Sequence, residues 1–249
     1  MSTTLDEDFH VHSTFSDGAS TLAENVQAAR ERGLRTLCLV DHVRRDTLWL
    51  PDFIAAVAQY RHQPGLQILA GVEAKILDST GQLDIPPSLA GVDLVLIADH
   101  QFPADNGPVH PAEVRSAIEY GGMTALEAIE RLCEASANVL HWASWLSARS
   151  GRRAADGPRP LLAHLFSILP KIGLTEAMVP EPLLTDLAKR VAHAGAMVEV
   201  NEKWSCPSVP VVAAMAAAGV TLVAGSDSHH CRDVGRYDSV RQTLRAAGA

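Results

Sequence analysis

Gln67-Ile-Leu-Ala-Gly-Val-Glu-Ala-Lys75 is short, apolar without a break as far as Glu73, and built from Ile, Leu, Ala, Gly and Val. A half-exposed strand alternates apolar with polar residues. An unbroken run of this length is how a strand reads when both faces are buried in a parallel sheet. Six other segments read the same way: 8–12, 36–41, 94–99, 161–165, 196–203 and 220–226. Helical stretches lie between most of them. Thr21-Leu-Ala-Glu24 and Thr124-Ala-Leu-Glu127 are capping boxes, the second opening a long helix toward residue 148. Gly33 closes the first helix, and further helices are expected over 182–194, 209–218 and 238–247, with Gly195 and Gly219 as stops. Seven strands alternating with helices predict an α/β fold, a closed or nearly closed barrel, with a doubly wound open sheet as the competing arrangement. The stretch 151–160 (GRRAADGPRP) is expected to be a loop.

Length and composition set bounds on this picture. A chain of 249 residues is ordinary for one α/β barrel, so a single domain over 1–249 is expected. With 47% hydrophobic residues it can build a sizeable core, yet it has no apolar run long enough to span a membrane. The N-terminus is acidic and lacks an apolar stretch, which argues against a secretory signal. Cys38, Cys133, Cys206 and Cys231 form no CxxC pair, so free thiols in a reducing cytoplasm are expected. The net charge of −8 argues against nucleic acid, since Arg149, Arg152, Arg153 and Arg159 form only a short basic loop cluster. Carboxylates that bind cations would account for part of that negative charge.

The histidines carry the functional signal. Eleven are present, and six fall at or just after the C-terminal end of an expected strand: His10, His12, His42, His100, His164 and His229. Asp17, Glu73 and Asp227 lie at the same level. In a parallel barrel those strand ends converge on one rim, so nine ligand-type side chains are expected in one cleft. His10-Val-His12 has the period-two spacing that points both rings to one side of a strand, and Asp227-Ser-His229 repeats it. A lone HxH would mean little, and an isolated histidine is more often a packing or surface residue; His62, His141 and His193 are read that way. Nine donors at equivalent positions are hard to obtain as background. Nitrogen and oxygen donors without thiolate suit Zn²⁺, Mn²⁺ or Fe²⁺, and their number exceeds what one ion can use.

His10-Val-His-Ser-Thr-Phe-Ser-Asp-Gly18, Val40-Asp-His42, Gly71-Val-Glu73 and Gly225-Ser-Asp-Ser-His229 resemble, in order, the motifs of the polymerase and histidinol phosphatase (PHP) family. The resemblance implies a distorted (β/α)7 barrel with a trinuclear metal site. It assigns His10, His12, Glu73 and Asp227 to one ion, Glu73 with His100 and His164 to a second, and Asp17, His42 and His229 to a third. It also implies that Glu73, Asp227 and His229 are catalytic. Two positions depart from the family pattern: Asp99 precedes His100, and Leu165 follows His164.

The expected activity is hydrolysis of a small-molecule phosphate monoester (histidinol phosphate, a nucleotide or a sugar phosphate), with two or three divalent metal ions and a metal-bound hydroxide as nucleophile. Lys75, which shares a strand face with Glu73, and Lys203, Arg44 and Arg236 are candidate grips for the phosphate. Glu199, Asn201 and Lys203 alternate on the sixth strand, which supplies no ligand. A phosphodiesterase or nuclease ranks lower, because only 5% of residues are aromatic and the charge is negative. An amidohydrolase-like reaction on a non-phosphate substrate would use the same Lewis acids.

Overall fold

The computed structural model describes residues 5–142 and 157–248. Seven parallel strands form one sheet: β1 (Glu7–Val11), β2 (Thr36–His42), β3 (Gln67–Lys75), β4 (Leu94–Ala98), β7 (Arg159–Leu162), β8 (Met197–Asn201) and β9 (Thr221–Gly225). They pair in that order, and the sheet curls until its two edge strands meet. A parallel bridge joins Val11 to Ser228, with His12 N–H donating to Ser228 O at 2.8 Å and Ser228 N–H to His10 O at 3.2 Å. The result is a seven-stranded (β/α) barrel closed at the β1/β9 seam by irregular backbone rather than a full ladder.

Period-two alternation divides the apolar residues between two cores. Leu37, Leu39, Ile68, Val72, Val95, Ile97, Val198 and Leu222 face the helices. Cys38, Val40, Leu94, Leu96, Leu161, Met197 and Val223 fill the barrel. The outer layer consists of α1 (Leu22–Glu31), α2 (Leu50–Ala58), α3 (Pro111–Glu119), α4 (Ala125–Asn138), α5 (Glu181–His193), α6 (Val209–Ala217) and α7 (Ser239–Ala247). Both capping boxes form, at Thr21 and Thr124. Among the described residues no helix is long and apolar enough to cross a membrane, and the four cysteines are unpaired.

Several expectations are corrected. Strand 161–165 begins earlier and ends at Leu162, because His164 and Phe166 adopt positive φ of 32° and 72°. The start of β7 at Arg159 shortens the loop expected over 151–160, and residues 151–156 lie outside the described residues. Strand 196–203 ends at Asn201, where Asn201 N–H bonds Cys206 O at 2.7 Å and turns the chain. The helix expected to reach residue 148 is α helix only as far as Asn138; Val139–Trp142 is a 3₁₀ turn, and 143–148 lie outside the described residues. Helices α2 and α3 and the hairpin β5 (Phe102–Ala104)–β6 (Gly107–Val109) were not foreseen.

Candidate metal centre

The strand that bears His10 and leads into His12 is irregular. Against β2 its register steps from Asp8↔Leu37 to Val11↔Leu39, so β1 holds one extra residue. Such a bulge lets Phe9 fill the barrel while His10 and His12 still turn inward at the rim. Asp8 satisfies the backbone that the bulge frees. It accepts from His10 N–H at 3.2 Å, Ser226 N–H at 2.9 Å and Gly235 N–H at 2.7 Å. Burial raises its carboxyl to about 6, against the pull of those hydrogen bonds.

Glu73 sits beside His42 in the β2–β3 ladder and is 2% exposed. The ends of β1, β2, β4, β7 and β9 send donors toward it or its neighbours. His10 Nε2 and His12 Nε2 lie 3.0 Å apart, and each is 3.4 Å from Glu73 Oε2. Asp227 Oδ1 is 4.0 Å from His10 Nε2 and 3.5 Å from His12 Nε2. On the opposite oxygen, Glu73 Oε1, His100 Nε2 and His164 Nε2 both close to 3.0 Å. Asp17 Oδ2 is 3.3 Å from both His42 Nε2 and His229 Nε2, and its Oδ1 is 3.6 Å from His12 Nδ1. His42 Nδ1 in turn approaches Glu73 Oε2 at 2.9 Å. All nine residues expected at the rim are thus brought together.

This donor set suits cations. His12 Nδ1 is buried without a hydrogen-bond partner among the described residues, and a buried polar atom left that way is destabilising. A tetrahedral ion with bonds of about 2.0–2.1 Å spaces its donor atoms about 3.3 Å apart, close to the separations seen here. Three overlapping groups could each hold an ion: His10/His12/Glu73, His42/Glu73/His100 and His12/Asp17/His42/His229. Without ions the charges are in conflict. Burial disfavours charge on His10, yet Glu199, Asp227 and Glu73 outweigh it and raise its pKa well above the usual imidazole value. Burial and the charge on His10 drive His12 well below that value. Burial would also raise Glu73, but His10 and His100 hold it well below the carboxylate range.

Asp227 and His229 reach the centre by a route the HxH analogy missed. The strand stops at Gly225, and Asp227 takes a left-handed φ of 52°. Asp17 hangs on a loop fastened by Asp41, which accepts from the amide and hydroxyl of Ser13 (3.0 and 2.5 Å) and of Ser16 (3.1 and 2.5 Å). Burial raises Asp41 to about 6, with the serine hydrogen bonds opposing. Asp99, which departs from the family pattern, accepts from Ser167 Oγ at 3.0 Å, and Ser167 Oγ bonds His164 Nδ1 at 2.9 Å. Burial works against charge on His164, but Asp99 and Glu73 raise it to about 10.

The four expected phosphate grips fare differently. Lys203 Nζ lies 3.3 Å from Asp227 Oδ1 and 3.2 Å from His229 Nδ1. Lys75 is turned to Gln101 Oε1 at 3.0 Å. Arg44 and Arg236 are exposed and make no hydrogen bond or ion pair with the nine donors among the described residues. Trp204, missed in the sequence, donates Nε1–H to Asp227 Oδ2 at 2.9 Å and faces Lys171 Nζ at 4.1 Å. Beyond Trp204 a groove of about 1300 Å³ opens between α5 and α6, walled by Phe166, Pro170, Leu184 and Val211. Asp8 and Asp41 carried one legible sign, a carboxylate inside an otherwise apolar strand.

The sequence pattern of the PHP domain matches residues 8–137. The chain belongs to the PHP domain family. The match covers β1 to β4 and stops before His164, Asp227 and His229, which join the rest of this PHP domain's cluster through the geometry above. A protein of Vibrio parahaemolyticus named "Probable phosphatase" is 35% identical over 134 residues, 48% of this chain and half the length of that relative. Another of that name from Vibrio vulnificus (strain YJ016) is 26% identical over 97% of this chain and 84% of its own. The crystal structure of a histidinol phosphate phosphatase from Lactococcus lactis, complexed with zinc, L-histidinol and phosphate, shares the fold. It has a TM-score of 0.65 and 18% identity over 97% of this chain and 93% of that one.

Proposed function

We propose that this PHP domain is a metal-dependent phosphatase acting on a phosphate monoester of a small organic alcohol. The observation carrying the proposal is the gathering of six imidazoles and two further carboxylates around Glu73 at ligand spacing. His10, His12, Glu73 and Asp227 would hold one ion. Glu73, His100 and His164 would hold a second, and Asp17, His42 and His229 a third. Zn²⁺, Mn²⁺ or Fe²⁺ fits such a donor set. When bound, these cations neutralise phosphoryl charge and lower the pKa of a nearby water.

The chain's own groups do the rest. Lys203, beside Asp227 and His229, supplies a positive charge for a phosphoryl oxygen. Asp227 would accept a proton from the attacking water, with Lys203 Nζ 3.3 Å from its Oδ1 to balance the charge. The apolar groove past Trp204 accommodates the alcohol. The names of the Vibrio relatives support phosphatase chemistry, and the Lactococcus complex makes histidinol phosphate a natural first substrate beside nucleotides and sugar phosphates.

The test is phosphate release from p-nitrophenyl phosphate and a metabolite panel by protein supplied with Mn²⁺ or Zn²⁺. Activity should vanish on chelation and return with metal. Faster cleavage of bis-p-nitrophenyl phosphate than of the monoester would reassign the protein as a diesterase.

A further inference from the structure

β8 contributes none of the nine donors, yet Glu199 in its middle is fully buried and faces the barrel interior. Both of its oxygens are committed. Oε1 lies 2.9 Å from His10 Nδ1, and Oε2 accepts the backbone N–H of His164 at 2.7 Å. Among the described residues His10 is its one ion-pair partner. We infer that Glu199 is a positioning residue that sets His10 and His164 together, an inference that rests on the metal-centre reading above.

His10 has two ring nitrogens, and Nε2 is the one turned to His12 and Glu73. A carboxylate at Nδ1 keeps the proton there, leaves the Nε2 lone pair bare toward the centre and fixes the ring plane. His164 needs help of a different kind. Its φ of 32° is strained for a residue with a side chain, and such a conformation persists only where the surroundings impose it. Glu199 Oε2 holds the amide of that turn, from which the imidazole reaches Glu73 Oε1 at 3.0 Å. One carboxylate therefore orients a ligand on each side of Glu73, while among the described residues Asp17, His42 and His229 form their ion pairs elsewhere.

The neighbouring strand makes room for this arrangement. Position 225 on β9 is glycine, and a Cβ there would stand 1.8 Å from Glu199 Oε1. A methyl group at that point must displace the carboxylate. Gly225→Ala is thus a second, independent way to remove the support without changing its charge.

The experiment compares wild type, Glu199→Gln and Gly225→Ala by metal content and by chelator competition with Zn²⁺ and Mn²⁺, with urea unfolding of the metal-free proteins as a control. Glutamine keeps the shape but can accept at only one of its two terminal atoms. Expected is a 10- to 100-fold loss of affinity, on the order found for partners of metal-bound histidine, at one of the two supported sites in Glu199→Gln and at both in Gly225→Ala, with the Asp17/His42/His229 site unchanged in each. General loosening of the fold would instead weaken all three sites alike and lower metal-free stability in proportion. That pattern, or wild-type affinity at every site in Glu199→Gln, overturns the inference. Wild-type protein that takes up no metal overturns the metal-centre reading, and this inference with it.

Discussion

Asp8 ties three segments of backbone together, and its ionisation gives that role a pH signature. Burial raises the carboxyl to about 6, whereas an unfolded chain releases the same proton near 3.9. Between about pH 4 and 6 the folded protein therefore binds a proton that the unfolded protein has lost. This contribution favours the fold at the acid end and is lost as pH rises through 6. Asp8→Asn is neutral throughout. In metal-free protein its penalty in urea unfolding should shrink by about 3 kcal/mol from about pH 4 to about pH 7. A penalty that does not change with pH would mean that Asp8 is already ionised at the acid end. Gly18 makes a steric prediction in the loop that carries Asp17. A Cβ there would lie 2.7 Å from the backbone of His12 and Ser13, which cannot swing aside. Gly18→Ala should cost about 1–3 kcal/mol and loosen the Asp17/His42/His229 site selectively, as read by metal content. Unchanged metal stoichiometry would separate the loop's geometry from the donor's position.

At the level of elements, α4 begins with a capping box whose two halves are separable. Thr124 Oγ1 accepts from Glu127 N–H at 3.1 Å, and the Glu127 carboxylate accepts from Thr124 N–H at 2.7 Å. The bonds that the Glu127 carboxylate accepts from the Thr124 amide and, at 2.8 Å, from the Thr124 hydroxyl lower its pKa, so they contribute above the ordinary glutamate value and fade as pH falls through the lowered one. Thr124→Ala removes the hydroxyl's bonds to both the amide and the carboxylate of Glu127, so it should cost about 1 kcal/mol at neutral pH and less in acid, where the carboxylate is protonated, as measured by thermal melts. An equal penalty at both pH values would assign the whole effect to the bond that the hydroxyl accepts from the Glu127 amide. Caps such as this were readable in the sequence because they depend on four consecutive residues. The seven strands were readable because burial on both faces leaves an unbroken apolar run, and the donors because they fall where such runs end. The hairpin β5–β6 was missed although Asn106-Gly107 marks a turn; its strands of three residues are too short for any periodicity. The bulge in β1 and the left-handed turn at Asp227 left no local mark, since both arise where two ends of the chain must meet. The support from Glu199 was hidden for a related reason. Its partners lie 189 and 35 residues away, and only closure of the barrel brings them together.

The same closure distributes stability unevenly over the whole molecule. The β2–β3 ladder runs without interruption from Thr36↔Gln67 to His42↔Glu73. The β9/β1 seam has the Val11–Ser228 bridge and the hydrogen bonds to Asp8 in place of a ladder. Donors of the proposed centre stand on both sides of that seam, His10 on β1 and His12 just past it, Asp227 and His229 just past β9. Cations held between them would join the chain's two ends as well as serve catalysis. Free metal at about 100 times its dissociation constant adds about 2.7 kcal/mol per site to the folded state. The melting temperature should therefore climb with metal concentration and fall on chelation. Regions with few backbone hydrogen bonds open first, so the loss should begin at the seam. On chelation, the amides of His12 and Ser228 should exchange faster with deuterium while the β2–β3 ladder keeps its protection until global unfolding. Uniform loss of protection across the sheet would mean that the ions stabilise the barrel as a whole, and that irregular backbone alone suffices to hold β1 against β9.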